Sequence, residues 1–464
     1  MPDPIFQRIK KDKIEFVDLM YTDLLGGWHH LTLPADRFTP GLCENGVGVD
    51  GSSVTGFRKT KAGDMVLKPD LATHFAHPFA EHRTLCVLGD LVDVGAREGF
   101  SRDSRYVARK AERYLSRMRR GESSLWLPEL EFYLFDSVAV CGRPGHSQFT
   151  IMSREAGNPG GAPAIPEHMS ERRGYHAASP EDRFENIRST MCRSLMEIGI
   201  PVKYHHHEVG PAGQVEIELN FMPILKAGDS VALAKWVIRN IADRNGLVAT
   251  FMPKPIYGEA GSGMHFHQYL VKGSTSSFYA PRKVLSEAGL HYVGGLLAHG
   301  RALSAFASPS TNSYKRLVPG FEAPVRLAYS VGNRTAAIRV PGYAITPENC
   351  RIEYRPPDAT CNTHLTLAAM LMAGLDGIRR KLDPGSPLSG DLYALPEEKL
   401  REIPAMPRSL GEALEALEKD RDFLMQGGVF TEDLLTAWTS LKQNEVRDLA
   451  DRPHPREFEM YLGI

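Results

Sequence analysis

Four segments carry Glu, His and Arg at alternate positions, the spacing that puts side chains on one side of a β-strand. In LPELEFYLF, Glu129 and Glu131 share a face opposite Leu130 and Phe132. In GQVEIELN, Glu216 and Glu218 oppose Ile217 and Leu219. GMHFHQYL pairs His265 with His267 against Phe266, and RIEYR lines up Arg351, Glu353 and Arg355 against Ile352 and Tyr354. The run YHHHEVGPAG adds His205, His207 and Glu208. One such face alone is what an antiparallel sheet turns to water. Water-facing strands mix Thr, Lys, Ser and Gln, whereas these faces are restricted to Glu, His and Arg. Adjacent carboxylates repel and stay ionised only where cations sit among them. Carboxylate oxygens with one or two imidazoles favour Mg²⁺ or Mn²⁺ over a thiolate zinc site, with enough carboxylates for more than one ion.

A second set is cationic: Arg316, Arg334, Arg339, Arg351 and Arg355. Each alone reads as a surface salt bridge. Guanidinium forks also match phosphate and carboxylate oxygens, and Arg351 and Arg355 share a face with Glu353. Metals beside arginines suit phosphoryl transfer from a nucleotide, where catalysis is mostly positioning and charge neutralisation. The chain has no G-x-x-x-x-G-K-[ST] loop, no H-R-D motif and no D-F-G, which excludes a Walker-A NTPase and a protein kinase. PGFEAP at 319–324 presents Glu322 on a loop shaped by proline and glycine, and GEAGSGMH at 258–265 lets backbone approach a ligand; either also reads as a plain turn.

These residues need strands to hold them and a core behind the strands. The chain has 464 residues, 42% hydrophobic and 24% charged, with a formal net charge of -1. Disordered, collagen-like and coiled-coil classes are excluded, and no broad basic field exists for nucleic acid. No apolar run reaches the roughly 20 residues that span a bilayer. The charged start, MPDPIFQRIKKDKIEF, does not read as a signal peptide. Six scattered cysteines without a C-x-x-C pair read as reduced thiols of a cytoplasmic protein. A helix in IFQRIKKDKI, a hairpin across EFVDLMYTDLLGGWHHLTLPA and a strand at 85–93 make the first hundred residues a small mixed α/β unit. A helix over 101–120 opens a second unit. It alternates strands (SLWLPELEFYLF, QVEIELNFM, GMHFHQYLV, TAAIRVP, RIEYRPP) with helices (PEDRFENIRSTMCRSLMEIG, VALAKWVIRNIADRNG, HYVGGLLAHGRALSAFA, THLTLAAMLMAGLDGIRRKL). Residues 153–173 read as a long surface loop, and the tail as a polar helix with an aromatic end that docks on a neighbour.

In chain order, DGSSVTGF, PELEF, HHEVGPAGQVEIE, KPIYGEAGSGMHFH, NSYKRLVPGFEAPVRLAYS, NRTAAIR and RIEYRPPD resemble the glutamine synthetase family in its bacterial type I form, nearly end to end. The resemblance implies an α+β fold: a β-grasp domain over 1–100, then a catalytic domain over 101–464 with a curved antiparallel sheet flooring the active site and helices outside. It implies a homo-oligomer, a dodecamer of two hexameric rings, with active sites shared between subunits and no nucleic-acid or membrane partner. The substrates would be glutamate, ATP and ammonium or an amine, with Mg²⁺ or Mn²⁺ as cofactor. By motif position, Glu131, Glu208 and Glu216 would hold one ion and Glu129, His265 and Glu353 the other. His267, Arg339 and Arg351 fall where the family meets ATP. Gly261, Arg316 and Arg355 fall where it holds glutamate, and Arg334 on the phosphate side. Asp50 (contributed by an adjacent subunit), Ser53, Tyr175 and Glu208 fall at the ammonium pocket. Glu322 falls at the flap carboxylate that shields the intermediate and accepts a proton.

The implied activity is ATP-dependent ligation of ammonia to the γ-carboxylate of glutamate through γ-glutamyl phosphate. The alternative is ligation of an alkylamine, polyamine or arylamine to the same carboxylate. An inactive structural or sensing relative would be expected to lose its metal carboxylates first, and all are present. A phosphagen-kinase-like activity would not require Asp50 or Glu322. The chain departs from the family pattern at Ala260 (often Asn), Lys203 (a carboxylate), Glu348 (Lys) and Tyr269 (a small hydroxyl), on substrate and nucleotide rims, and at Phe57 (commonly Trp), where the smaller ring would widen the mouth for an amine. Tyr393 in DLYALPEEK resembles the family's adenylylation loop, but with Ala394 in the Asp place the plainer reading is an exposed loop tyrosine.

Overall fold

Short alternating strands punctuated by glycine build the first sheet. The computed structural model describes residues 4–58, 63–94, 99–119, 121–156, 169, 172–388, 390 and 395–464. After α1 (Pro4–Lys11), β1 (Phe16–Thr22) and β2 (Trp28–Pro34) form the expected antiparallel hairpin. Its turn is closed by Gly27 N donating to Asp23 Oδ1 at 2.7 Å, with Gly26 at φ 87°, a conformation that suits only glycine. Then follow α2 (Pro40–Asn45), β3 (Val47–Asp50), β4 (Asp64–Pro69), β5 (Phe75–Ala76) and β6 (Thr84–Asp93). The strand order is β2-β1-β6-β4-β3, with β5 on β6 and β1 parallel to β6. A helix beside a mixed sheet with β1 and β6 parallel at its centre is the β-grasp arrangement that the resemblance implies.

Asp103 caps the next helix, α3 (Ser104–Met118), by accepting from Tyr106 N at 2.9 Å, and also accepts from Leu91 N at 2.7 Å. The second part contains β7 (Glu122–Phe135), β8 (Ser137–Arg143), β9 (His146–Met152), α4 (Glu185–Glu197), β10 (Val202–His207), β11 (Gln214–Leu219), β12 (Met222–Pro223) and α5 (Ile224–Arg244). It continues with β13 (Val248–Thr250), β14 (Met264–Lys272), β15 (Thr275–Ser276), α6 (Glu287–Ala298), α7 (Gly300–Ala307), α8 (Ser313–Arg316), β16 (Tyr329–Val331), β17 (Ile338–Val340), β18 (Ile352–Tyr354) and α9 (Thr363–Arg380). A ten-stranded curved sheet runs β10-β11-β7-β14-β18-β17-β16, with β12 and β13 on β7 and β15 on β14. Its convex, apolar side buries Leu130, Phe132, Ile217, Phe266 and Ile352, and α9, apolar nearly all round, lies deep among the helices behind it. Further helices at 397–402, 410–419, 422–425, 432–450 and 455–461 complete the chain. No helix among the described residues is long and apolar enough to cross a membrane.

Several expectations change. The segment HYVGGLLAHGRALSAFA is two helices broken at His299, whose ring turns inward to Asp376 at 3.0 Å and Asp420 at 2.8 Å. Helix α5 begins at Ile224 rather than Val231. The sheet is antiparallel except at its far edge, where β16 and β17 pair in parallel. The hairpin β8–β9 was not anticipated; Val138, Val140, Phe149 and Ile151 do alternate onto one of its faces, but only Val138 and Ile151 pack against the protein, while Val140 and Phe149 stay exposed. Most of the loop expected over 153–173, and Tyr393, lie outside the described residues.

A buried ion cluster joins the two parts. Arg105 of α3 is 4% exposed. Its Nε and Nη2 meet both Asp229 oxygens on α5, at 2.8 and 3.0 Å. Its Nη2 also reaches Asp70 at 3.0 Å, and its Nη1 reaches Asp90. Arg109 backs the same aspartates, and His364 of α9 meets Asp229 at 2.9 Å. Burial alone would raise the Asp229 carboxyl, but Arg105 and His364 outweigh it and hold it ionised. One planar fork thus bridges three carboxylates from both parts of the chain. Removing it strands buried charge, so Arg105→Ala is expected to destabilise the protein by about 3–5 kcal/mol in denaturant unfolding. Arg105→Lys should recover little of this, because a single ammonium cannot serve all three aspartates.

Candidate active site

Register brings the charged faces together. Glu129 opposes Glu218 and Glu131 opposes Glu216 across β7 and β11; His265 opposes Glu129 across β14, and Glu353 lies between His267 and Arg339. Of these, Glu129, Glu131, Glu216, His265, Arg339 and Glu353 line a cavity of about 450 Å³. Its lining includes Glu129, Glu131, Glu208, Glu216, His265 and Glu353, with Gly261, Arg316, Arg334, Arg339, Arg355, Tyr175 and Glu322 around them. His267 and Arg351 stand behind Glu129: His267 Nε2 lies 2.7 Å from Glu129 Oε1, and Arg351 Nε donates to His267 Nδ1 at 3.3 Å. Asp50 and Ser53 lie outside this cavity on the β-grasp unit, where Ser53 Oγ donates to Asp50 Oδ2 at 2.8 Å.

The histidine face expected at 205 and 207 is corrected. In β10, His206 opposes Glu216, while His205 and His207 point the other way. His205 meets Arg188, and His207 is fully buried against Glu155 at 3.0 Å. Counting back by two from Glu208 selects His206, so the signal was present in the sequence. Arg172, Tyr204 and Gln214 also line the cavity and carried no pattern of their own. Lys203, displaced by a bulge in β10, pairs with Glu218 at 2.6 Å. Phe57 is buried against Phe100, away from the cavity.

The electrostatics divide the floor in two. Burial, then Glu131 and Glu216, push the Glu208 carboxyl well above its usual range; burial, then Glu129, Glu131 and Glu353, do the same to Glu216. On the other side burial would raise Glu353, but Arg355 outweighs it and holds the group at about 2. Arg339 Nη1 donates to the same carboxylate at 2.6 Å. Burial and Arg355 lower His265, favouring the neutral ring that a metal needs. His265 Nδ1 lies 3.1 Å from Glu129 and 3.7 Å from Glu353, and the ligand atoms of the three all fall within 4.8 Å of one another. Arg316 Nη2 donates to His265 Nε2 at 3.2 Å, so a proton on Nδ1 occupies the place between the carboxylates that a cation would take. Such crowded oxygens with imidazole fit hard or borderline divalent ions.

The loops are built around the arginines. Arg316 is clamped by the carbonyls of Arg355, Pro356 and Pro357. A Cβ at Gly261 would lie 2.8 Å from its Cγ and one at Gly263 2.5 Å from its Nη2, so those glycines make room for it. Glu322 adopts φ 53°, and its carbonyl accepts from Arg355 Nη2 at 3.3 Å. Phe321 lies under the Lys254 ammonium at 3.6 Å. Burial alone would lower the Arg334 guanidinium, but Tyr175, Glu322 and Glu353 outweigh it and keep it charged.

A β-grasp unit beside a curved sheet floored with carboxylates and rimmed with arginines defines an ATP-dependent ligase. Residues 101–461 match the family described as glutamine synthetase, catalytic domain, and residues 13–94 that described as glutamine synthetase, beta-Grasp domain. The chain is 42% identical over 464 residues to a glutamine synthetase of Aquifex aeolicus, covering 100% of this chain and 99% of the relative. It is 44% identical over 475 residues to one of Frankia alni, with the same coverage. Of solved structures, Plasmodium falciparum glutamine synthetase superposes with a TM-score of 0.91 at 27% identity over 98% of both chains. A GmaS/ADP complex superposes with a TM-score of 0.84 at 26% identity over 100% of both. The chain belongs to the glutamine synthetase family.

Burial and the neighbouring carboxylates favour the protonated forms of Glu208 and Glu216, so a divalent ion entering between them would have to displace protons. Mn²⁺ affinity should therefore tighten as pH rises from about 5.5 to about 8, with proton release largest at the low end. Calorimetry in buffers of different ionisation enthalpy reads this directly. Glu216→Gln should weaken binding and abolish part of the release; pH-independent binding without release would contradict the arrangement.

Proposed function

We propose that this cavity ligates ammonia to the γ-carboxylate of L-glutamate at the expense of ATP, giving glutamine, ADP and phosphate. The observation that carries the reading is the convergence of Glu129, His265 and Glu353 beneath a rim of arginines. Glu129, His265 and Glu353 would hold one Mg²⁺ or Mn²⁺, and Glu131, Glu208 and Glu216 another. Bound divalent ions supply charge neutralisation to the phosphates and polarise the oxygens in transfer.

The chain's own groups do the rest. Arg316, Arg355 and the Gly261 backbone orient glutamate. Arg339, with His267 and Arg351 behind the floor, steadies the ATP phosphates, and Arg334 faces the transferring phosphoryl group. A γ-carboxylate oxygen bonds to the γ-phosphorus as the bond to the ADP oxygen breaks. This step comes first because a carboxylate is a poor acyl donor until activated. Ammonium loses a proton to Asp50, held with Ser53 at the Tyr175 and Glu208 pocket. Ammonia adds to the acyl carbon, phosphate leaves, and Glu322 takes the second proton while its loop excludes water.

Asp50 and Ser53 sit exposed on the β-grasp unit rather than in this chain's own cavity, which supports sites completed by a neighbouring subunit and hence the ring dodecamer. The same reading divides the chain at 100/101 into β-grasp and catalytic domains. Six free cysteines support a reducing cytoplasmic setting.

Tyr175 is 44% exposed at the cavity, room that would also admit a larger amine. Phosphate release with glutamate, ATP and either ammonium or a panel of alkylamines, polyamines and arylamines decides between them. Ammonium turnover is expected; turnover with one amine and none with ammonium would overturn the ammonia reading. Glu322→Ala is expected to lower glutamine formation roughly 10²-fold while phosphate release outruns it, as unshielded acyl phosphate meets water. Asp50→Ala and Arg355→Ala subunits, each inactive alone, should regain up to about a quarter of native activity when co-assembled, through sites drawing both intact residues from different chains. No recovery would mean each site is built within one chain.

A further inference from the structure

The three histidines ending β10 differ in what their nitrogens can still do. His207 is enclosed by Glu155 and the carbonyl of Glu208, and His205 by Arg188 and Ser189. His206 faces the cavity. Its Nδ1 lies 3.0 Å from the carbonyl oxygen of His207. A carbonyl oxygen only accepts, so that contact puts the proton on Nδ1 and leaves the lone pair of the neutral ring on Nε2. Nε2 lies 3.4 Å from Glu216 Oε1, while the protonated Nδ1 lies 3.7 Å from Glu208 Oε1. A lone pair and a carboxylate this close are tolerable only with a cation or a proton between them.

The ligand atoms of His206, Glu208 and Glu216 all lie within 4.8 Å of one another. Glu131, the third carboxylate proposed for this ion, has one oxygen occupied, its Oε2 accepting from Gly263 N at 2.8 Å, which leaves Oε1 for a cation. The His206 ring is also held independently of any ion, packed on His176 at 4.6 Å and Tyr175 at 5.4 Å between ring centres. Its tautomer is set by backbone, so ligation needs no proton to move on the ring, unlike at His265. A comparable cluster of Asp18, His77 and Cys86 fails this criterion. There His77 Nδ1 accepts from Phe79 N and Ala80 N, at 3.0 and 2.9 Å, which puts the ring proton on Nε2.

We propose that His206 Nε2 is a direct ligand of the divalent ion held by Glu208 and Glu216. The proposal rests on the metal assignment of the preceding section and adds a nitrogen donor to that site. Both ions then have one imidazole each. Imidazole favours Mn²⁺ and its heavier neighbours over Mg²⁺, which prefers all-oxygen shells. His206 is thus a residue that selects the metal at the ammonium side of the cavity.

Mn²⁺ titrated into the whole protein, followed by electron spin-echo envelope modulation, tests this without reference to turnover. In His265→Gln, the ion at the Glu208–Glu216 side should still show ¹⁴N modulation, and in His265→Gln with His206→Gln the modulation should vanish. In His206→Gln alone, one of two ¹⁴N couplings should be lost, and the preference for Mn²⁺ over Mg²⁺ in calorimetry should fall roughly tenfold. This variant keeps the second site and guards against a double variant that does not fold. Mn²⁺ bound at both sites with an unchanged ¹⁴N signal and unchanged preference in His206→Gln would overturn the role of His206 while leaving the metal assignment intact. Absence of Mn²⁺ binding to the unaltered protein would overturn both.

Discussion

Carboxylates crowded on one face of a curved sheet are the constraint on which this molecule turns. Two like charges about 4 Å apart interact by roughly 4 kcal/mol at an effective dielectric near 20, and each also loses hydration. The protein answers this in two ways. Glu353 and Glu129 are held ionised by guanidinium and imidazole groups, whereas Glu208 and Glu216 are driven toward protonation. One half of the floor therefore carries its own counter-charge and the other half lacks it. That asymmetry leaves the floor an incompletely compensated anionic surface rather than a satisfied salt-bridge network, and the proposed metal sites rest on it.

Rigidity follows the same division. The acid-bearing strands are central in a ten-stranded sheet and backed by a continuous apolar core. Their side chains cannot spread apart to relieve repulsion without breaking the register. The rim is different. Glu322 adopts a left-handed backbone and is tethered through its carbonyl to Arg355, so the arginine that neutralises Glu353 also holds the loop of Glu322. The β-grasp unit is fixed to the catalytic part through Arg105 and its three aspartates, and that junction sets where the exposed Asp50 is presented. The pair Lys203–Glu218 places a protein cation next to Glu129 and His267, at the edge where the chain departs from the family pattern.

Much of this was legible along the chain. Alternation identified the strands carrying Glu129, Glu131, Glu216, His265 and Glu353, because a period of two is a local property of extended backbone. The family resemblance supplied the order of motifs and the two-part architecture. The histidine run was misread, since HHHE contains two interleaved faces and nothing local says which one meets the sheet. His299 was read into one continuous helix for a similar reason. Only its distant partners, Asp376 and Asp420, turn the chain there.

What the sequence determined by itself is the inventory: which strands carry acids, which loops carry glycine and arginine, and that cations are needed to reconcile them. What only the tertiary structure decided is partnership. Register across β10, β11, β7, β14 and β18 chose His206 over its neighbours, set Lys203 against Glu218, and split the carboxylates into a compensated and an uncompensated half. The reason is that charge interactions act through space at a few ångströms, while residues that meet at that range come from strands far apart in the chain.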